Sequence, residues 1–401
     1  TEEQERFRQE VSAWLDANLA HMKHPGEPHG PGRAAWEGRK SLRRKLGAKG
    51  WLAPTGPAEW GGGGLSVDHA LVLREELGSR GLRWFLEEQS ASLRAVLQQR
   101  GTQEQKREYL SAISGGQATI WRLSRETGAE LDAGNLGVRA FRDGDDHILN
   151  GVELFAGQGL GPDYLWTLAL INPDAPSHQA TATFLVPAGL KGIRIQTPNS
   201  LLPGEAHRVT FDNVVVPPRG LLGEEGEGWF LMQATPAEVA EYPPAQNQEL
   251  DDLLQYARET AQDGVTLSQE PVLQQLLMDA YIDSHLTRLL RTRNAWMAAT
   301  GRQITYHRAQ AALLEKRAAQ RLSRLIRDVM GMYALLDRQD PRAPAQGRFE
   351  VQQRRSLAGQ NPTGGPEVQA TEYAKQLGLH QRKGERAPPP VGVPGGVSQT
   401  R

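Results

Sequence analysis

The first residues of the chain carry apolar side chains at helical spacing. Phe7, Val11, Trp14, Leu15 and Leu19 recur every three or four residues, which predicts an amphipathic helix with one face against a core. The same period predicts four more helices, over residues 34–49, 67–77, 86–100 and 103–113, with Ser66 and Thr102 as N-caps of the third and the last of the five. We therefore expect residues 1–116 to form a helical N-terminal domain.

The period of the pattern changes after residue 116. Residues 117–223 contain short strand-like runs that Gly, Pro, Asn and Asp separate, a pattern typical of a small barrel or sandwich. The helical period then returns over residues 229–239, 250–260, 270–300, 306–336 and 367–377. Two of these helices are long and adjacent, which favours an antiparallel bundle and an oligomer surface. The pattern predicts an α+β fold, with a helical domain over 224–385 and a disordered tail over 386–401.

Composition excludes several classes of function. The 46 Lys and Arg residues balance 47 Asp and Glu residues, so bulk charge predicts no binding to nucleic acid or anionic membranes. The chain has no Cys, which excludes disulfides, thiolate nucleophiles and Cys-ligated metals. The acidic start has no apolar signal core, and no stretch approaches the roughly 20 apolar residues of a membrane span. We expect a cytoplasmic protein, and no set of histidines has the spacing of a metal site.

Short motifs occur in a fixed order along the chain. Gly101-Thr-Gln-Glu-Gln-Lys106 precedes six motifs in the strand-rich region, at 125–132, 142–151, 172–176, 184–187, 209–217 and 221–229. Asn361-Pro-Thr-Gly-Gly-Pro-Glu-Val-Gln369 follows them. This order resembles the acyl-CoA dehydrogenase family over nearly the whole chain.

The resemblance implies a fold and a function. It implies a helical N-terminal domain, a middle β-barrel and a C-terminal four-helix bundle that forms a homodimer, a homotetramer or a hetero-oligomer with a paralogue. It also implies FAD between barrel and bundle, an acyl-CoA thioester as substrate and an electron-transfer flavoprotein or similar acceptor. In this chemistry a carboxylate removes the α-proton of the thioester while the flavin accepts hydride from the β-carbon. A role in lipid metabolism would follow.

The resemblance also suggests site residues, several of which depart from the family pattern. It assigns cofactor contacts to seven positions: Leu123, Ser124, Arg125, Phe155, Gly157, Gly365 and Glu367. Arg125 stands where the family usually has a hydroxyl, Phe155 replaces a tryptophan, and Gly157 replaces a second hydroxyl. The arginine that usually reaches the FAD pyrophosphate is not visible near Arg258.

The closing motif has no carboxylate in the usual catalytic position. Some family members place the base on the first helix of the C-terminal domain instead, in a Leu-x-x-Glu-Arg motif, and there the matching residue is Glu238. A solvated helix glutamate is the alternative interpretation, with Glu241 one turn away.

Two functions therefore stay open. One is an FAD-dependent acyl-CoA dehydrogenase with Glu238 as base. The other is a flavin-free homologue that serves as partner subunit of an active paralogue or has a non-redox activity. Four arginines on and after the long helix 270–300 leave a further choice between bundle-surface charge and a contact to CoA phosphate: Arg288, Arg291, Arg293 and Arg302. His207 is expected to be structural.

Overall fold

Helices build the N-terminal block, and their caps are the polar residues that the sequence offers. The computed structural model describes residues 1–20, 33–86, 88–124, 136–157, 159–176, 179–198, 206–232, 247–357 and 366–379. Thr1 caps helix α1 by accepting a hydrogen bond from the Gln4 amide, and Ser66 caps α3 through the His69 amide. The block comprises α1 (Glu2–Leu19), α2 (Arg33–Ala48), α3 (Val67–Ser79), α4 (Glu88–Arg100), α5 (Gln103–Gln105), a π-helical turn (Lys106–Leu110) and α6 (Ser111–Ser114).

The glycine-rich segment between α2 and α3 folds back on itself. A Cβ on Gly62 would lie 2.3 Å from the Gly56 carbonyl oxygen, so only glycine allows this approach. Trp51 is buried beside it and packs edge-to-face with Trp14 of α1, at a centroid distance of 5.1 Å. The glycines therefore serve the packing of the N-terminal block.

The middle of the chain forms one eight-stranded sheet. Its strands are β1 (Ile120–Leu123), β2 (Val138–Asp143), β3 (Asp146–Ala156), β4 (Tyr164–Leu170), β5 (Thr181–Pro187), β6 (Ile193–Gln196), β7 (Ala206–Val216) and β8 (Leu221–Leu222). They follow the order β6-β7-β3-β1-β4-β5-β8, and β2 pairs with both β3 and β4. The central strand β1 runs antiparallel to β3 and parallel to β4, so β1 to β4 form a closed circuit. Residues of α4, the π-helical turn and α6 pack against this sheet in the largest hydrophobic core.

Helices return after the sheet. They are α7 (Gly228–Met232), α8 (Gln248–Glu259), α9 (Pro271–Ala299), α10 (His307–Met330), α11 (Arg348–Leu357) and α12 (Pro366–Gln376); the two-stranded ribbon of β9 (Ala261–Gln262) and β10 (Val265–Thr266) lies between α8 and α9. The helix predicted over 306–336 ends earlier, at Met330, because Gly331 takes a positive φ of 58° and a 3₁₀ turn follows. The predicted α+β class, with helical blocks on both sides of a sheet, is confirmed.

Among the described helices, none is long and apolar enough to cross a membrane. The same residues contain no group of three or more His, Asp or Glu side chains that could hold a metal ion. The predicted tail 386–401 lies outside the described residues.

Candidate functional site

Leu123 and Ser124, two of the sequence-predicted cofactor residues, lie at the end of the central strand β1. Phe155, a third, lies opposite them on β3. Leu123 pairs with Phe155 across the two strands, and both side chains are buried. The Ser124 amide donates to the Leu154 carbonyl over 2.8 Å, which extends the pairing by one residue. The Ser124 hydroxyl is half-buried and has no hydrogen-bond partner among the residues that the structure describes. This end of β1 therefore combines a buried apolar pair with one partly exposed hydroxyl.

The space beside Gly157 is filled by an indole ring. A Cβ on Gly157 would lie only 1.8 Å from Cδ1 of Trp121, so position 157 has no room for a side chain. The Trp121 ring stacks on His207 with centroids 3.7 Å apart, and the Thr197 hydroxyl lies 3.0 Å from His207 Nδ1. The hydroxyl that the family pattern would place at 157 is thus replaced by a buried aromatic stack.

Phe155 packs in the interior of the sheet. Its ring is fully buried and lies 6.1 Å, centroid to centroid, from Phe211 of β7. A phenyl ring needs no hydrogen-bond partner there, whereas an indole N–H would. Phe155 therefore belongs to the hydrophobic core of the sheet, next to Leu123.

Arg122 joins β1 to the start of the C-terminal block, and no motif of the sequence pointed to it. Its guanidinium lies 4.8 Å from the centre of the Trp166 ring and donates to the carbonyl oxygen of Met232, the last residue of α7. The signal that could have revealed it is a charged residue inside the apolar run Ile120–Leu123, where burial requires a partner.

Other predicted site residues are not brought together by the described part of the chain. Arg125, Glu238 and Gly365 lie outside it. Glu367 stands in the first turn of α12, and its side chain is not described. Their roles stay predictions.

The arginines of the long helix contact other residues of the chain. Arg291 lies 2.5 Å from Glu315, Arg288 lies 3.6 Å from Glu75, and Arg293 donates to Gln310 over 2.8 Å. Arg302 lies over the Trp296 ring at 4.5 Å. These contacts favour the interpretation as helix-surface charge over a contact to CoA phosphate.

The motif Gly101–Lys106 fastens the helical block to the sheet. Thr102 and Gln105 form a capping box at the start of α5. The buried Gln105 side chain also donates to the carbonyl oxygens of Arg219 and Leu221, over 2.8 and 2.7 Å. The motif is therefore an anchor that fixes α5 against the 3₁₀ turn Pro218–Gly220 and the first residue of β8.

A tyrosine pair extends the same junction. Tyr109 and Tyr164 meet edge-to-face with centroids 5.3 Å apart. Burial, with a smaller effect of the nearby Glu108 carboxylate, raises the pKa of Tyr109 to about 12, and burial also raises the pKa of Tyr164. Both phenols stay neutral at physiological pH and act as packing groups.

Comparison with known proteins agrees with this architecture. The model of the acyl-CoA dehydrogenase N-terminal domain matches residues 1–117, and that of the C-terminal domain matches residues 239–378. Acyl-CoA dehydrogenase FadE26 of Mycobacterium tuberculosis is 28% identical over 327 residues, which cover 78% of this chain and 80% of that protein.

Two solved structures share the fold at lower identity. The steroid acyl-CoA dehydrogenase Tcur3481-Tcur3483 has a TM-score of 0.80 at 23% identity, covering 94% of this chain and 97% of that one. The ChsE4-ChsE5 complex from Mycobacterium tuberculosis has a TM-score of 0.78 at 24% identity, covering 95% and 99%.

The two matched domains bracket the sheet and together cover more than half of the chain. The matches support an acyl-CoA dehydrogenase-like function, and they do not favour the flavin-free alternative. The order of the motifs, the layout of helices around the sheet and the matched domains all lead to the same assignment. This chain belongs to the acyl-CoA dehydrogenase family.

Proposed function

We propose that this protein catalyses the α,β-dehydrogenation of an acyl-CoA thioester, with FAD as the hydride acceptor. The observation that carries the proposal is the match of both family domains on either side of the sheet. The family is FAD-dependent, and we assign the flavin ring to the end of β1, where the predicted cofactor residues Leu123 and Ser124 lie.

We propose that the ring lies beside this end of β1. Ser124 would supply the hydroxyl that Gly157 lacks, and Leu123 and Phe155 are part of the hydrophobic core next to it. Because the Trp121 indole already fills the space at Gly157, only the backbone at that position could contact the cofactor. Arg125, Gly365 and Glu367 complete the proposed set of contacts.

In the proposed mechanism the Glu238 carboxylate takes the α-proton of the thioester. When bound, FAD supplies the hydride-accepting chemistry for the C–H bond at the β-carbon. A carboxylate in apolar surroundings is a stronger base than one in water, so this role needs a pocket from which water is excluded. The protein's part is to hold the base and the β-carbon in line.

The proposal includes a partner subunit, because α9 exposes a long apolar stripe. Ile282, Leu289 and Trp296 follow at heptad spacing and are 56%, 66% and 51% exposed. A second copy of the chain or a paralogue would bury this stripe. The proposed electron acceptor is an electron-transfer flavoprotein or a similar protein, and the proposed location is the cytoplasm.

The cofactor is tested on the purified protein. We expect a yellow protein that releases FAD on denaturation, with at most about one FAD per chain. A colourless protein that takes up no added FAD would contradict the proposal.

The base is tested by Glu238→Gln, with Glu241→Gln as the matched control one turn away. If Glu238 removes the α-proton, its substitution lowers kcat by about 10²- to 10⁴-fold at unchanged FAD content, whereas the control stays close to the unmodified protein. The assay follows reduction of an artificial acceptor with a panel of acyl-CoA thioesters. Full activity of Glu238→Gln would reject this residue as the base.

A further inference from the structure

Arg43 of α2 is a buried arginine with little to compensate its charge. The residue is only 7% exposed, and Leu42 and Leu46 on the same helix belong to a hydrophobic core. Its Nη2 donates to the hydroxyl of the buried Ser90 over a long 3.5 Å, and its Nε has no hydrogen-bond partner. Among the residues that the structure describes, no carboxylate forms an ion pair with it. The guanidinium therefore lies in apolar surroundings with one weak, neutral contact.

A cation in such surroundings needs an anion. Taking a charged group out of water costs several kcal/mol unless a partner compensates it, and one neutral hydroxyl at this distance does not. The same block shows the usual solution at Arg8, which is more exposed than Arg43 and still lies 2.6 Å from the Glu75 carboxylate. Arg43 has the charge and the donors of such a pair, and the described part of the chain supplies no carboxylate for it.

Close backbone packing keeps Arg43 turned inward. A Cβ on Gly116 would lie 2.5 Å from the Arg43 carbonyl oxygen, and one on Gly47 would lie 2.2 Å from the carbonyl carbon of Gly115. The turn at 115–116 therefore rests directly on α2 and prevents this helix from rotating Arg43 into solvent. The guanidinium stays beside Ser90, at the start of α4.

The contact between Arg43 and Ser90 is near the strand that holds the predicted cofactor residues. Helix α4 contacts β1 directly, and Leu93, one turn after Ser90, shares a hydrophobic core with Leu123. One helical turn is about 5.4 Å long. A ligand at the end of β1 that extends along α4 would therefore bring a terminal carboxylate toward Arg43.

We propose that Arg43, with the Ser90 hydroxyl, is a binding site for a carboxylate group. A guanidinium presents several N–H donors in one plane, which match the two oxygens of a carboxylate, and the attraction is strong where water is excluded. The carboxylate comes from a small free acid or from a second acidic group on the acyl part of the substrate. The second source rests on the proposed function, since it makes the substrate the CoA thioester of a dicarboxylic acid.

Binding of a free acid is tested with sodium formate. Thermal unfolding is measured with increasing formate for the unmodified protein, for Arg43→Met and for the matched control Arg44→Met, an exposed position on the same helix. At saturation, formate should raise the Tm of the unmodified protein and of the control by about 2 °C or more beyond its effect on Arg43→Met. If Arg43→Met does not fold, Arg43→Gln takes its place with the same expectation.

A carboxylate on the substrate is tested by binding, so that the result does not depend on turnover. Calorimetry gives the Kd of adipoyl-CoA and of hexanoyl-CoA, two thioesters with six-carbon acyl groups of which only the first ends in a carboxylate. The unmodified protein and Arg44→Met should bind adipoyl-CoA about tenfold tighter or more, and Arg43→Met should bind both alike.

Loss of either effect in Arg43→Met alone supports the proposal and shows which source supplies the carboxylate. If neither the formate shift nor the preference for adipoyl-CoA distinguishes Arg43→Met from Arg44→Met, the proposal is overturned. If the unmodified protein dehydrogenates no thioester, the proposed function fails instead, and the formate shift and the two Kd values still decide the role of Arg43.

Discussion

At the scale of single residues, a glycine of the candidate site lies directly beside a large aromatic side chain. Gly157 has no side chain, and Trp121 places its indole in the space that a side chain there would need. The indole is buried and stacked on His207, so it has little room to move away from position 157. A hydroxyl at 157 is therefore excluded by packing as well as by sequence.

The close packing of Trp121 on Gly157 predicts strong coupling between the two positions. Gly157→Thr alone should destabilise the protein by about 1–3 kcal/mol or more, because its Cβ would collide with the ring. Trp121→Ala alone should cost about 3–5 kcal/mol through a buried cavity. The double variant should cost less than the sum of the two by about 1–3 kcal/mol, since the threonine partly fills the cavity.

Urea denaturation of the two single variants and the double variant measures these free energies of unfolding. Additive losses would contradict the coupling. FAD titration of the double variant adds a functional readout, because its threonine restores the hydroxyl of the family pattern.

At the scale of elements, side chains that reach backbone groups join the helical block to the sheet. Gln105 of α5 donates to the carbonyl groups of Arg219 and Leu221 at the start of β8, and Arg122 of β1 donates to that of Met232 in α7. Each such side chain therefore fixes the position of a whole element.

Gln105→Ala should loosen the junction between α5 and the sheet. The substitution leaves two carbonyl groups of Arg219 and Leu221 without their donor, at a cost of about 1–3 kcal/mol in the free energy of unfolding. Gln103→Ala, an exposed position on the same turn, is the matched control and should be nearly neutral. Chemical denaturation checks both variants, and equal stability of the two would show that the bonds of Gln105 add nothing.

At the scale of the whole molecule, the two long helices pack against each other and leave one face of α9 in solvent. Its apolar side chains extend over the length of the helix, whereas the buried core of the C-terminal block lies on the other side, with Leu277 and residues of α8, α10 and α11. A continuous apolar face of this length is uncommon on a monomer. It is the feature that supports assembly with a second subunit.

Leu289→Lys should therefore weaken the assembly. A buried lysine without a partner is costly, so the variant should shift the protein toward monomers as measured by light scattering after size-exclusion chromatography. Val215→Lys, at an exposed position on the outer face of β7, serves as the control. If Leu289→Lys and the control give the same mass as the unmodified protein, the α9 stripe is not the interface.

The sequence by itself determined the element types and the family. Helical and strand periods depend on neighbours within a few residues, so the order helices, sheet, helices could be predicted, and the motifs were sufficient for the family assignment. The tertiary structure decided what the altered residues do. Trp121 fills the place beside Gly157, and Arg122 donates to the Met232 carbonyl; both are contacts between residues far apart in the chain. No local pattern encodes them, because they depend on how the strands register and how the elements pack.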